Sequence, residues 1–578
     1  MNSTPERPST TAATVVEGHQ GLIAVLVGAL VVRVSGLTEW WLNPDEGIYY
    51  SILTRDTFAG FWHEVAINAH PPLYYMLLRG MGIFTWDFLW FRTFTLACGL
   101  AAVWGMWAVA RQLAGPGTRG TVAGLTAGLM LAFAPGAIEL SQVIRPYMMQ
   151  VALLAGALFF LLRYIERSHG STDYSIRDLG AYVTLVLLAL LTHYSSVLAL
   201  AAFGLITLQD GVAQGTRRGA WRKLFAVHAI PGVLFAVVYL VHLRPIMSSE
   251  LAAEALDGWL RPYMITSPGE AWLAFLGFQR LLAQPWLRGL TAVLCAAAFV
   301  VSALGPRAER PSVAADRRPG PQHERRPVDA RRPAVVLAAG FVVALAVAWL
   351  EVYPLGSTRH SAWLLVFVVP SIAWVVAYAL SRRGGHARAW GAAFVVLLAL
   401  SGPVYDALGG ERAPWAPTER VLRQANLTQM IDLLDPQGTP ELVVMSAQTF
   451  YLLLPLYPAE RERAVRSDDG TLFHFAFGDR RVLVSEAWDF AAGADPSAPR
   501  HLAGTLQQAS RAFPELGLAQ FDQAALFVGG WRPPLVDQLT AASAREPFIV
   551  SQRSVPGLYA FLLDLPGLMR TFAGGSGG

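Results

Sequence analysis

Charge is scarce in this chain of 578 residues: 15% are Asp, Glu, Lys or Arg, where a soluble chain of ordinary composition carries about 25%. Lysine is almost missing. Lys223 is the only one, so the basic residues are nearly all arginine. Cysteine occurs twice, as Cys98 and Cys295, each inside an apolar run. This excludes a disulfide framework and a zinc ribbon and leaves two buried, inert thiols. The net charge of +4 is not a nucleic-acid signature, and no nucleic-acid partner is expected.

Hydrophobic residues make up 54% of the chain. They gather into runs of roughly 20, the length that crosses about 30 Å of hydrocarbon. Spans are predicted at about 21–38, 91–112, 119–136, 147–165, 180–192, 195–210, 224–243, 285–304, 333–351, 361–381 and 389–405, about eleven transmembrane helices in all. The segments 180–192 and 195–210 are short and read as a hairpin tipped by Thr192, His193 and Tyr194. Gly21 to Leu37 reads as a retained first helix. It lacks a small-x-small cleavage site, and further spans follow it. Residues 1–20 then form a cytoplasmic tail, and 574–578, Gly-Gly-Ser-Gly-Gly, read as a linker or tag remnant.

The loops sort by charge. Arg111 and Arg119, Arg163, Arg167 and Arg177, Arg217, Arg218, Arg222 and Lys223, and Arg382, Arg383 and Arg388 all fall on one face. The positive-inside rule makes that face cytoplasmic. Residues 305–332, rich in Arg and Pro, share its phase and read as a disordered cytoplasmic linker. The opposite face receives the loop 39–90, the turns 137–146 and 352–360, the loop 244–284 and everything after about 406. From about Arg412 short apolar runs alternate with amphipathic stretches, the pattern of a small α/β domain over 411–573. Chemistry-bearing motifs such as a Gly-rich phosphate loop are lacking there. The expected architecture is thus an all-α polytopic membrane domain, 21–405, followed by a C-terminal soluble α/β domain.

The reactive residue types collect on the outer face. Asp45 and Glu46 stand just past the first span, beside Trp40, Trp41, Tyr49 and Tyr50. A water-poor aromatic setting raises the basicity of a carboxylate, as a general base requires. The bland alternative is a solvated acidic loop. His70, before Pro71 and Pro72, is either a structural hydrogen-bonding residue or a ligand for metal or substrate. Arg145, in Ser-Gln-Val-Ile-Arg-Pro-Tyr-Met-Met-Gln (141–150), either snorkels or meets an anion. Its place on the Arg-poor face favours a phosphate. The same reasoning covers Arg359 and His360 in Tyr-Pro-Leu-Gly-Ser-Thr-Arg-His (353–360), and more weakly His193, Tyr194, Arg244 and Arg261. Arg33, near the outer end of the first span, has an acidic residue of the first outer loop as one candidate partner.

In order and sidedness these motifs resemble the GT-C superfamily of glycosyltransferases. The carriers are the acidic pair after the first span, His-Pro-Pro-Leu-Tyr-Tyr (70–75), Arg-Pro-Tyr (145–147), Thr-His-Tyr (192–194) and the late Arg-His turn. Within it the chain is similar to the bacterial branch related to protein O-mannosyltransferases and aminoarabinose lipid A transferases. The resemblance covers residues 20 to about 405. It implies a multi-pass protein of the bacterial inner membrane with its site facing the periplasm. It implies a polyprenyl-phosphate-linked sugar donor, inverting transfer to a hydroxyl of a lipid, glycan or protein acceptor, and an acidic residue of the first outer loop as base. By position that base is Asp45, with Glu46 as its neighbour or as a metal ligand. Arg145, Tyr147, His193, Tyr194, Arg359 and His360 are the expected substrate and phosphate contacts. Relatives often carry Lys before the Pro-Pro pair, so His70 leaves open a divalent cation held with Glu46. Two other classes compete: a transporter or flippase of lipid-linked sugars, and a non-catalytic assembly subunit. The first predicts midplane charges and inverted repeats, and the sequence displays neither.

Overall fold

The computed structural model describes residues 10–68, 70–168, 175–213, 217–247, 260–283, 287–304, 331–381, 421–434, 441–457, 463–486, 498–530 and 534–572. The expected span at 389–405, nearly all of the linker 305–332, Arg382, Arg383, Arg388 and Arg412 lie outside them. The chain divides into two compact units. One comprises Met1–Val34, Val65–Leu77 and Arg92–Ala416, and the other Ser35–Glu64, Leu78–Phe91 and Pro417–Gly578.

The first helices are α1 (Thr10–Val34), α2 (Pro44–Leu53), α3 (Phe58–Ile67), α4 (Pro72–Met81), α5 (Phe88–Ala114), α6 (Thr118–Phe133), α7 (Pro135–Ser141), α8 (Tyr147–Ser168), α9 (Ile176–Leu190), α10 (Ser196–Ala213) and α11 (Arg217–Val238). Helices at Pro268–Phe278, Arg288–Leu304, Arg332–Trp349 and Leu365–Ser381 follow. Among the described residues six helical runs are long and apolar enough to cross a membrane, and seven if the bent pair α6–α7 counts as one. The protein is therefore a multi-pass membrane protein. Of the expected hairpin, α10 meets the length test with 18 residues, and α9 has 15. Buried Leu, Ala, Val and Phe side chains of α5, α6, α8, α10 and the late helices form one continuous core.

The break between α6 and α7 has a local cause. Pro135 carries no N–H and pushes Ala134 out of helical backbone, to φ −64° and ψ 122°. The two helices bend by 63°, and the last carbonyls of α6 lose partners. Arg33, fully buried at the end of α1, supplies them: Nη1 donates to Ala132 O at 2.7 Å and Nη2 to Leu131 O at 3.2 Å. Its Nε donates to Ser141 Oγ at 3.0 Å. In return Gln142 Nε2 donates to Arg33 O at 2.7 Å. The candidate pairing of Arg33 with a loop carboxylate is thus replaced by a clamp on a kinked helix. The nearer, unsatisfied carbonyls are better acceptors than a distant side chain.

Among the described residues seven strands form one sheet in the order β2-β3-β4-β1-β5-β7-β6. They are β1 (Leu442–Ser446), β2 (Val465–Arg466), β3 (Leu472–Phe477), β4 (Arg480–Ser485), β5 (Gln523–Gly529), β6 (Ile549–Val555) and β7 (Leu558–Asp564). β4, β1 and β5 run parallel, and the other neighbours are antiparallel. β1 is buried at all five positions, as a strand covered on both faces should be. Helices at Ala498–Ala512 and Pro534–Ser543 cover the core.

This sheet unit also holds the acidic loop, which the sequence places with the membrane helices. Trp41 N donates to Leu422 O and Trp41 Nε1 to Leu452 O, both at 2.8 Å. Gln424 N donates to Glu39 O at 3.0 Å, and Arg423 pairs with Glu39 at 3.2 Å. Helix α2 lies on the helix Ala447–Leu453, which leaves the carboxyl end of β1. The approach requires glycine: a Cβ on Gly47 would stand 2.0 Å from Tyr451 O. Gly47→Ala is expected to destabilise the unit by about 1–3 kcal/mol, the range of overpacked sites. Thermal unfolding of the purified protein measures this; an unchanged midpoint would refute the contact.

Candidate functional site

Asp45 and Glu46 open α2 and do different things there. Asn43 is the N-cap and Pro44 the first helical residue. Asn43 Oδ1 accepts from Glu46 N at 2.9 Å, and Glu46 Oε2 accepts from Asn43 N at 3.2 Å, a reciprocal capping box. The Glu46 side chain is fully buried in that task. Asp45, half-buried, stays outside the box. Trp41, Tyr49 and Tyr50 are buried around this turn. The fold thus assigns Glu46 to building the helix start and leaves the carboxylate of Asp45 outside that cap.

The other expected site residues belong to the membrane unit. Tyr147 begins α8, His193 lies between α9 and α10, and Arg359 and His360 open the 3-10 turn Arg359–Leu364 that leads into Leu365–Ser381. All stand at one end of their helices. Arg163, Arg167, Arg177 and Lys223 stand at the other, where Arg167 pairs with Asp178 at 2.6 Å and Lys223 with Asp210 at 2.7 Å. Leu73 N donates to Leu191 O at 3.0 Å and so ties the start of α4, and His70 before it, to the α9–α10 corner.

Around Tyr147 the rings close up. Its centroid lies 5.1 Å from that of His193 and 5.9 Å from that of His360. His70 meets His193 at 5.2 Å. The Tyr353 hydroxyl lies 3.4 Å from His360 Nδ1. His70 Nδ1 is 3.4 Å from Asn68 Oδ1, which accepts from the Tyr75 hydroxyl at 2.8 Å. Arg145 and Arg359 are 4% and 6% exposed, so both guanidinium groups are withdrawn from water. Tyr194 is not in this group. Its hydroxyl turns to His242 Nδ1, on the π-helical turn Tyr239–Leu243.

Burial first, and the neighbouring arginine charge second, decide the protonation of the rings. Loss of hydration, then the charge of Arg359, pushes the His70 pKa down to about 4. His193 lies well below its ordinary value, first through burial and then through His70, Arg145 and Arg359. Both rings are neutral near pH 7, and the cluster's positive charge resides on arginine. A histidine whose folded pKa lies below its unfolded one lends its stability above the unfolded value, here 6.5, and loses it as pH falls toward about 4. Thermal scans in detergent are therefore expected to show the midpoint dropping between pH 6.5 and 5, where ordinary carboxylates remain ionised. A flat profile across that window would contradict the buried cluster.

The sequence leaves open a divalent cation on Glu46 and His70. Glu46, one of the two expected ligands, is engaged in the cap. Among the described residues no group of three or more His, Cys, Asp or Glu side chains is placed to hold an ion. Sequence reasoning missed Gln150, Ser195, Asn68 and Tyr353 as members or neighbours of the cluster. Gln150 and Tyr353 fall inside the quoted motifs, yet neither has a charge to draw notice.

No protein-family model and no curated protein matches the chain. Solved structures do. ArnT from Cupriavidus metallidurans bound to undecaprenyl phosphate superposes with a TM-score of 0.52 at 15% identity, over 93% of this chain and 97% of that one. The Archaeoglobus fulgidus oligosaccharyltransferase in the apo form gives 0.48 at 12% identity, over 88% and 69%. The Saccharomyces cerevisiae protein O-mannosyltransferase Pmt1-Pmt2 complex bound to the sugar donor gives 0.33 at 17%, over 49% and 40%. The likeness to ArnT shows the fold: this multi-pass membrane protein has the GT-C fold.

Proposed function

We propose that the protein is an inverting glycosyltransferase that moves a sugar from a polyprenyl-phosphate donor to a hydroxyl acceptor on the extracytoplasmic face of the bacterial inner membrane. The observation that carries this reading is the group of Arg145, Arg359, His70, His193 and His360 around Tyr147 at one end of the helices, with both arginines, His193 and Tyr147 buried. Two guanidinium groups withdrawn from water beside neutral imidazoles suit an anion carried on a lipid at headgroup depth. The undecaprenyl phosphate bound by ArnT, whose fold this chain shares, is such a ligand.

Asp45 takes the proton of the acceptor hydroxyl. The oxygen attacks the anomeric carbon in line, the bond from that carbon to the phosphate oxygen breaks, and the electron pair leaves with the polyprenyl phosphate. A phosphodiester with one negative charge becomes a phosphomonoester with nearly two. Arg145 and Arg359 therefore bind the leaving group more tightly than the donor, which is the condition for accelerating the chemical step. Phosphate leaves well, so no general acid is needed. The acceptor is a lipid, a glycan or a protein hydroxyl.

Purified protein incubated with polyprenyl-phosphate sugars tests this. Release of free polyprenyl phosphate together with glycosylated acceptor is the expected result. Donor that is bound or moved across a vesicle but never cleaved would overturn it in favour of a transporter.

A further inference from the structure

The ring of His193 is held from one side by groups that no charge pattern in the sequence marks. Ser195 N–H donates to His193 Nδ1 at 3.2 Å, and Ser195 Oγ lies 2.9 Å from the same nitrogen. Gln150 Nε2 donates to Ser195 Oγ at 2.8 Å and to Ser196 Oγ at 3.0 Å. Ser196 Oγ in turn donates to Ala189 O at 2.8 Å, which anchors the far end of the chain of bonds. A backbone N–H can only donate, so His193 Nδ1 accepts. A neutral imidazole has one proton, which must then sit on Nε2.

That N–H is buried, and among the described residues it has no hydrogen-bond partner. The side chain around it is 5% exposed, so water does not readily satisfy it. A buried donor without an acceptor is costly and calls for an explanation. A metal ion would need the Nε2 lone pair, which this tautomer denies it. An acceptor bearing negative charge fits, since Arg145 and Arg359 bear on the same ring. We propose that Gln150 and Ser195 are positioning residues that fix His193 as an Nε2–H donor to a phosphate oxygen of the lipid-linked donor. This rests on the donor chemistry proposed above.

Two measurements keep the inference and that reading apart. The first is binding of undecaprenyl phosphate to the full-length protein, with the donor's KM and kcat alongside. Gln150→Leu and Ser195→Ala are each expected to weaken binding about 5- to 10-fold, the net value of roughly one ordinary hydrogen bond. His193→Gln places an amide N–H near Nε2 without needing the relay, so Gln150→Leu added to it should change affinity no further. An equal loss in both backgrounds would reduce Gln150 to a structural role and overturn the proposal. The second is the ring ¹⁵N spectrum of histidine-labelled protein, assigned by the His193→Gln difference. It is expected to report a proton on Nε2, with the Nδ1 form gaining population in Gln150→Leu. A proton on Nδ1 in the wild-type protein overturns the relay whatever the ligand. A wild-type protein that holds the Nε2–H form yet ignores undecaprenyl phosphate overturns the donor reading and the phosphate as its acceptor, while the relay stands.

Discussion

Asp45→Asn is expected to lower sugar transfer by about 10²–10⁴-fold, the range for a positioned general base, with the thermal midpoint nearly unchanged. The carboxamide matches the carboxylate in size but cannot take a proton. The start of α2 should survive, because it is held by the reciprocal bonds between Asn43 and Glu46 and by Pro44. The lost charge near a helix N-terminus costs about 0.3–1 kcal/mol, too little to unfold the unit. The informative control is the neighbour. Gln serves as well as Glu at the third position of a capping box, so Glu46→Gln should stay folded and active if Glu46 only builds the helix. Glu46→Ala should instead lower the midpoint, because the buried N–H of Asn43 loses its acceptor. Normal turnover by Asp45→Asn together with a dead Glu46→Gln would exchange the two roles.

The membrane helices were the most readable part of this chain, since an apolar run of about 20 residues answers to the bilayer and to little else. The strands at Leu442–Ser446, Arg480–Ser485, Gln523–Gly529 and Leu558–Asp564 were likewise visible as short apolar runs. β2 and β3 were not, for β2 has two residues and β3 reads Leu-Phe-His-Phe-Ala-Phe, with a polar residue inside it. Arg145, Tyr147, His193, Arg359 and His360 could be picked from sequence because charge and imidazole are rare at span ends. Their grouping about Tyr147 adds what spacing does not hold. The clamp of Arg33 on the α6 carbonyls, the relay from Gln150 and the seating of Gly47 against Tyr451 were hidden for one reason. Each is a polar or steric fit between segments remote in sequence, and neither periodicity nor composition records such pairs. The part Glu46 plays in the capping box was hidden as well, since composition does not record which carboxylate closes a helix start.

Arg359→Ala is the second variant of large expected effect. Removing one preorganised donor from a site of developing charge lowers kcat by about 10²–10³-fold. The loss should exceed the rise in the donor's KM, because the phosphate gains its second charge only as the glycosidic bond breaks, and an interaction that strengthens along the reaction appears in kcat. Arg359→Lys keeps a positive charge but loses the planar fork that grips two phosphate oxygens, so it should fall between. A second readout does not depend on turnover. The charge of Arg359 is part of what holds His70 at about 4. Without it the folded pKa of His70 moves back toward 6.5, the gap between folded and unfolded states narrows, and the loss of stability on acidification shrinks. Arg359→Ala should thus be less active and less acid-sensitive at once. A variant with normal kcat would remove Arg359 from the phosphate. A variant that is slow but as acid-sensitive as the parent would separate the guanidinium from the histidines.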